Sequence, residues 1–307
     1  MKRCAFLFPG QGAQYVGMGK DFYDKLQSVR DLYKRASEIL GFDIAQLCFE
    51  GPQETLNKTD ICQPALLVTS IATLEFYKTN VDISTLNCSF AAGLSLGEHT
   101  ALAFAGAIKF EDAVGLVKKR GQFMQEACDA VKSSMVSILG LDREKVKVAC
   151  DSVSSIGIVT IANINCPGQI VISGDDKALA AASEKCKELG ARRAIPLQVA
   201  GAYHSPLMKS AQDKLKLELA KVKITKPTMP VIANVSAKPV TEPEEIKTAL
   251  STQVVNSVLW EDSMRYMIGQ GITAFYEFGP GRVLTGLAKK ITPDLELHCI
   301  EKITDLQ

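Results

Sequence analysis

The chain has 307 residues and a mass of 33.2 kDa, enough for one sizeable core and a subsidiary domain. Its 35 basic and 34 acidic side chains leave a formal charge of +1, which argues against nucleic acid or an anionic membrane as the main partner. Nine cysteines stand singly, no Cys-x-x-Cys occurs and only three histidines are present, so the composition speaks against a disulfide framework or a metal site and for a reducing compartment.

Strand-like and helix-like segments alternate from the start, the pattern of an α/β fold with a mainly parallel sheet. Residues 4–8 read as a strand with no signal or transit peptide pattern ahead of it, and the loop Pro9-Gly10-Gln11-Gly12-Ala13-Gln14 follows. Over residues 21–40, Phe22, Leu26, Val29, Leu32, Tyr33 and Leu40 recur at near-helical spacing, which predicts one helix. Pro64 suits the first turn of a long apolar helix reaching Tyr77. An apolar run then ends at Ser95, residues 98–107 read as an alanine-rich helix, and residues 111–128 as a further helix.

From residue 127 to residue 200 the rhythm changes. Strands are predicted over 135–139, 158–161, 170–173 and 193–197, with helices over 142–150, capped by Asp142, and over 175–189. The order β-α-β-β-α-β is that of a ferredoxin-like unit. The reading is therefore a large α/β domain of residues 1–127 and 201–307 carrying an insertion of residues 128–200. Residues 152–174 are free of charge and long enough on paper to cross a bilayer, but Asn163-Ile164-Asn165-Cys166-Pro167-Gly168-Gln169 at their centre is incompatible with hydrocarbon. They read instead as two short strands around a polar loop. Beyond residue 201 come helices over 206–222, 243–254 and 260–269, strands over 231–234 and 274–278, the turn Gly279-Pro280-Gly281, and a helix ending near Lys290.

The chemistry concentrates at Gly93-Leu94-Ser95-Leu96-Gly97, the Gly-x-Ser-x-Gly pattern of a nucleophile elbow between a strand and a helix. Glycines are wanted at 93 and 97, where a side chain would clash with neighbouring backbone, although a small-residue turn shares the pattern. The Leu96 amide then points to where an oxyanion would form. A serine nucleophile needs a base. His99 falls one turn down the elbow helix, facing away from its tip, and His298 sits in a short apolar strand pattern, a structural position. His204, in Ala200-Gly201-Ala202-Tyr203-His204-Ser205-Pro206, lies where the large domain resumes and is the candidate base. No acid stands out as a third member, and a backbone carbonyl or side-chain amide would suffice to fix the imidazole tautomer.

Five motifs in order, Pro9-Gly10-Gln11-Gly12, Gly93-Leu94-Ser95-Leu96-Gly97-Glu98, Arg120-Gly121-Gln122-Phe123-Met124-Gln125, Gly201-Ala202-Tyr203-His204 and Glu277-Phe278-Gly279-Pro280-Gly281, make the chain resemble the malonyl-CoA:acyl carrier protein transacylases from residue 5 to residue 287. The resemblance implies an α/β-hydrolase-like core with a ferredoxin-like insertion and a ping-pong reaction with malonyl-CoA and acyl carrier protein, without a cofactor or metal. It implies Ser95 as nucleophile, His204 as base, the amides of Gln11 and Leu96 as oxyanion hole, and Arg120 as the clamp on the malonyl carboxylate. Gln253 aligns with the glutamine whose main-chain carbonyl orients the histidine, and Asn165 falls where the insertion could meet the pantetheine arm. One departure is Leu94, where many bacterial members have histidine; leucine there resembles plastid members. The expected protein is a monomer of the cytoplasm, or of the plastid stroma if a transit peptide has been removed. It docks acyl carrier protein transiently and binds neither nucleic acid nor membrane. The competing readings are a trans-acting acyltransferase of polyketide synthesis, a serine esterase, and a silent carrier-protein scaffold.

Overall fold

The computed structural model describes residues 2–306. The chain lays down β1 (Arg3–Phe8) and β2 (Asn87–Gly93), then leaves for β3 (Ser133–Leu139), β4 (Val159–Cys166), β5 (Gln169–Asp175) and β6 (Arg193–Pro196). It returns with β7 (Val231–Ala233), β8 (Lys238–Val240), β9 (Ala274–Phe278) and β10 (Glu296–Ile300). The large sheet has the order β10-β9-β1-β2-β7-β8 and is parallel apart from β8. The second sheet, β4-β5-β3-β6, is antiparallel throughout and has the strand order of a ferredoxin-like unit. The α/β reading with a mainly parallel sheet and a ferredoxin-like insertion therefore holds.

The continuous apolar run of β1 follows from its place at the centre of a sheet covered on both faces. Phe6 and Phe8 point into one cluster with Leu66, Leu102 and Val117, while Ala5 and Leu7 point into another with Trp260, Met264 and Leu287. In the small sheet the faces divide differently. Val136, Ile138, Ile170 and Ile172 pack on Val146 and Leu179 of helices Arg143–Ser152 and Asp176–Glu188. The alternate residues Met135 and Val171 join the large core instead, so the small sheet lies over the carboxyl ends of β1 and β2.

Several sequence expectations need correction. The helix predicted over 21–40 is two, Lys20–Lys25 and Gln27–Leu40, because Leu26 is extended (φ −125°, ψ 125°) and keeps the apolar spacing while breaking the rod. The long helix starts at Thr59, not at Pro64, and the proline sits within it at the cost of one backbone bond. Asn163, Ile164, Asn165 and Cys166 belong to β4, leaving only Pro167 and Gly168 as the turn, so Asn165 stands on a strand and not in a loop. Pro206–Met208 is a separate 3₁₀ turn ahead of helix Lys209–Lys221. The short helices Ile44–Glu50 and Gln53–Leu56 and the three-residue β8 were not foreseen. No helix among the described residues is long and apolar enough to cross a membrane.

Candidate active site

β2 turns into helix Leu96–Phe104 through Ser95, whose φ of 53° lies in the region that favours glycine. The turn is tight enough that a Cβ on Gly93 would run into the Gly97 carbonyl, and one on Gly97 into the carbonyl of Phe8. Both glycines are therefore forced by close backbone approach. Such strain persists only where surrounding bonds hold it, and here they do. The Ser95 N–H donates to Asn234 Oδ1 at 2.7 Å, Asn234 Nδ2 donates to the Gly93 carbonyl at 2.8 Å, and Leu94 N–H donates to the Phe8 carbonyl at 3.2 Å. The Ser95 hydroxyl thus stands at the carboxyl end of the sheet, above the positive end of its helix.

His204 reaches this hydroxyl from the loop after β6. Its own φ is 57°, a second left-handed non-glycine residue. Nε2 lies 2.8 Å from Ser95 Oγ, and Nδ1 lies 2.8 Å from the Gln253 carbonyl. A carbonyl only accepts, so Nδ1 carries the proton and Nε2 is left to accept the serine proton, the tautomer a base requires. Burial, and secondarily the charge of Arg120, push the His204 pKa down to about 4, so the ring is neutral at neutral pH. Gln253 ends helix Pro243–Gln253, where its carbonyl accepts only a long bond from the Asn256 N–H at 3.4 Å besides the imidazole.

Arg120 comes from helix Phe110–Ala130, which crosses helix Thr59–Asn80 so closely that a Cβ on Gly121 would lie 2.7 Å from Thr59 O. It is only 1% exposed. Nη1 donates to Gln63 Oε1 at 2.6 Å, and Nη2 donates to Gln253 Oε1 at 2.9 Å and to Ser95 Oγ at 3.1 Å. Nε has no partner, and no carboxylate pairs with the group among the described residues. Burial lowers its pKa to about 10, partly opposed by Glu98, so it stays charged at neutral pH. A buried guanidinium held by neutral amides can accept an anion.

A third layer sits beneath. Glu98 is fully buried, and its Oε2 accepts from the Asn234 N–H at 3.0 Å and from Gln253 Nε2 at 2.7 Å. Burial raises its pKa to about 7, against the opposing pull of those bonds and of Arg120. Gln253 Nε2 also donates to the Ser95 carbonyl at 2.9 Å.

Ser95, Arg120 and His204 line one cavity of about 180 Å³, roofed by Met135, Asn165 and Val171 of the small sheet. Gln11 and Leu96 line it too. Gln11 N–H donates to no acceptor among the described residues, and Leu96, first in its helix, has no intrahelical acceptor for its N–H, so both amides are free to receive an oxygen. Asn165 faces the cavity with a buried, unpartnered Oδ1. His99 is buried away from the cavity, and His298 stacks on Tyr276 and bonds Glu296. The two histidines set aside in the sequence therefore stand outside the site. No group of three or more His, Cys, Asp or Glu among the described residues is placed to hold a metal.

This constellation fits acyl transfer to serine, and comparison with known proteins points to acyl transfer. The model of the acyl transferase domain family matches residues 5–292. A malonyl CoA-acyl carrier protein transacylase of Bacillus subtilis is 48% identical over 297 residues, covering 96% of this chain and 92% of its own. The chain belongs to the malonyl CoA-acyl carrier protein transacylase family. It is thus an acyltransferase, and its fold is the family's. An acyl carrier protein S-malonyltransferase from Vibrio cholerae superimposes with a TM-score of 0.95 at 40% identity, covering 100% of this chain and 99% of that one. A malonyl-transacylase solved in complex with a type II PKS acyl-carrier protein gives a TM-score of 0.95 at 40% identity, covering 99% and 97%.

Three residues of this acyltransferase site escaped the sequence reading as functional: Gln63, Asn234 and Glu98. Glu98 had one usable signal, an acid three residues after Ser95 on an otherwise apolar helix. Gln63 and Asn234 had none, because nothing local marks either as facing a serine.

Proposed function

We propose that Ser95 is the nucleophile of a two-step transfer of malonyl from malonyl-CoA to the phosphopantetheine thiol of acyl carrier protein, in the service of fatty acid synthesis. As Oγ bonds to the thioester carbonyl carbon, His204 Nε2 takes the hydroxyl proton. The carbon–sulfur bond then breaks, and His204 returns that proton to the departing thiolate, leaving a malonyl ester on Ser95. The pantetheine thiol reverses the sequence: its proton goes to His204, its sulfur takes the acyl carbon, and the serine oxygen recovers the proton. Atoms and charge balance without a redox step, so the reaction as written calls on no cofactor. The amides of Gln11 and Leu96 receive the oxyanion in each half, an effect worth roughly 3 kcal/mol per donor.

The observation that carries this reading is the buried Arg120 guanidinium, paired with no carboxylate among the described residues and 3.1 Å from the serine hydroxyl. A malonyl carboxylate supplies the missing anion, whereas a neutral acyl chain leaves the charge unpaired. That preference also disfavours the esterase reading. The Gln253 carbonyl holds the imidazole, and Asn165 offers its free Oδ1 to an amide N–H of the pantetheine arm.

Residues 128–200 act as a ferredoxin-like insertion, its sheet roofing the cavity, in a catalytic domain of residues 1–127 and 201–307, in a monomer that docks carrier protein weakly and with salt sensitivity. Nine free thiols and bacterial relatives support a cytoplasmic setting. A second reading, supply of polyketide synthesis, draws on the likeness to the transacylase solved with a PKS carrier protein. Incubation with malonyl-CoA and phosphopantetheinylated carrier proteins of both kinds tests the assignment. Malonyl-loaded fatty acid carrier protein is the expected product, preferential loading of the polyketide carrier selects the second reading, and free malonate alone means hydrolysis.

A further inference from the structure

The Gln253 side chain is the joint between the base and the clamp, and something must decide which way its amide points. Nε2 faces three oxygens: Glu98 Oε2 at 2.7 Å, the Ser95 carbonyl at 2.9 Å and Asn234 Oδ1 at 3.2 Å. Oε1 faces Arg120 Nη2 at 2.9 Å. Reversing the amide would set oxygen against oxygen on one side and N–H against N–H on the other. Of the three oxygens, only that of Glu98 belongs to an ionisable group, and it lies one helical turn below Ser95. The same Oε2 holds the Asn234 backbone at 3.0 Å, and Asn234 in turn clasps both sides of the elbow.

We propose that Glu98 is a positioning residue of the transfer: its buried carboxylate locks the Gln253 amide so that Oε1 aims Arg120 at the substrate carboxylate, and it anchors Asn234 beneath the nucleophile. The inference rests on malonyl transfer through Ser95. It predicts a specific signature, because the Gln253–Arg120 branch matters only to a substrate with a free carboxylate.

The test compares malonyl-CoA with acetyl-CoA as acyl donors in the full chain, by acylation rate and KM. Glu98→Ala is expected to lower the malonyl:acetyl ratio of kcat/KM by roughly tenfold or more, the scale of a lost hydrogen-bond network to a charged group. Glu98→Gln keeps an accepting oxygen and is expected to restore most of that ratio. Equal losses with both donors in Glu98→Ala, or no recovery in Glu98→Gln, would overturn the proposal. If Glu98→Ala does not fold, Gln253→Met decides. It keeps the carbonyl that serves His204 and removes the amide, so it must show the same malonyl-selective loss, and an unchanged ratio refutes the lock. Wild-type protein that fails to acylate Ser95 with malonyl would instead sink the transfer reading itself, a separate outcome.

Discussion

At the scale of single residues the site is a serine, an imidazole and a guanidinium that share hydrogen bonds within 3.1 Å. Each has its own expected phenotype. Arg120→Ala should lower kcat/KM for malonyl-CoA by roughly 100-fold or more, as expected for truncating one partner of a buried charge pair. The loss with acetyl-CoA should be far smaller, and measuring both donors side by side checks it. His204→Ala should slow acylation and transfer alike, by roughly 10² to 10⁴, in rapid-quench experiments on each half. Ser95 could be picked out because it sits in a strained-turn string, and His204 because only three histidines occur and it lies where the large domain resumes. Arg120 drew its meaning only from family resemblance, since a lone arginine on a helix looks the same whether it faces solvent or a serine. Gln63 and Asn234 were illegible, because they meet the site across 57 and 139 positions of sequence and no period links them.

At the scale of elements the elbow decides the site's position. Its geometry depends on backbone contact where β2, helix Leu96–Phe104 and the end of β1 converge. Gly97→Ala should therefore destabilise the fold by about 1–3 kcal/mol or more through overpacking, read as a shift of the urea midpoint, and should abolish acylation even where the protein remains folded. Alanine at the open Gly286 should do neither. The buried strands could be read from continuous apolar runs, and helix Gln27–Leu40 from the spacing of its apolar residues. Boundaries were harder. Leu26 interrupts a helix without breaking its apolar spacing, Pro64 is tolerated inside one, and the Asn-rich segment of β4 looks like a loop because its polar residues face a cavity.

At the scale of the whole molecule, buried titratable groups couple stability to pH in opposing directions. Burial depresses His204 to about 4 and holds His99 well below its ordinary value, so each adds stability above about 6.5 that is lost as the pH falls. Burial raises Glu98 to about 7 and Glu277 above its ordinary value, so each adds stability below about 4.5 that is lost as the pH rises. The groups facing Glu98 are Arg120 from its helix, His204 across the elbow through Gln253, and the neutral Asn234 and Gln253. Glu98→Gln removes one compensating proton uptake. Its stability should fall more steeply than wild type between pH 6.5 and pH 4.5, by up to about 1.4 kcal/mol per pH unit, measured as urea midpoints across that range. Parallel curves would show that Glu98 binds no more protons in the folded than in the unfolded state across this range.

The most direct measurement is intact-protein mass spectrometry after mixing with malonyl-CoA, followed by peptide mapping and a chase with phosphopantetheinylated carrier protein. The account predicts one malonyl ester, on Ser95, discharged by the carrier thiol and absent from Ser95→Ala. A protein that stays unmodified while malonyl-loaded carrier forms, or an adduct on any other side chain, would contradict it.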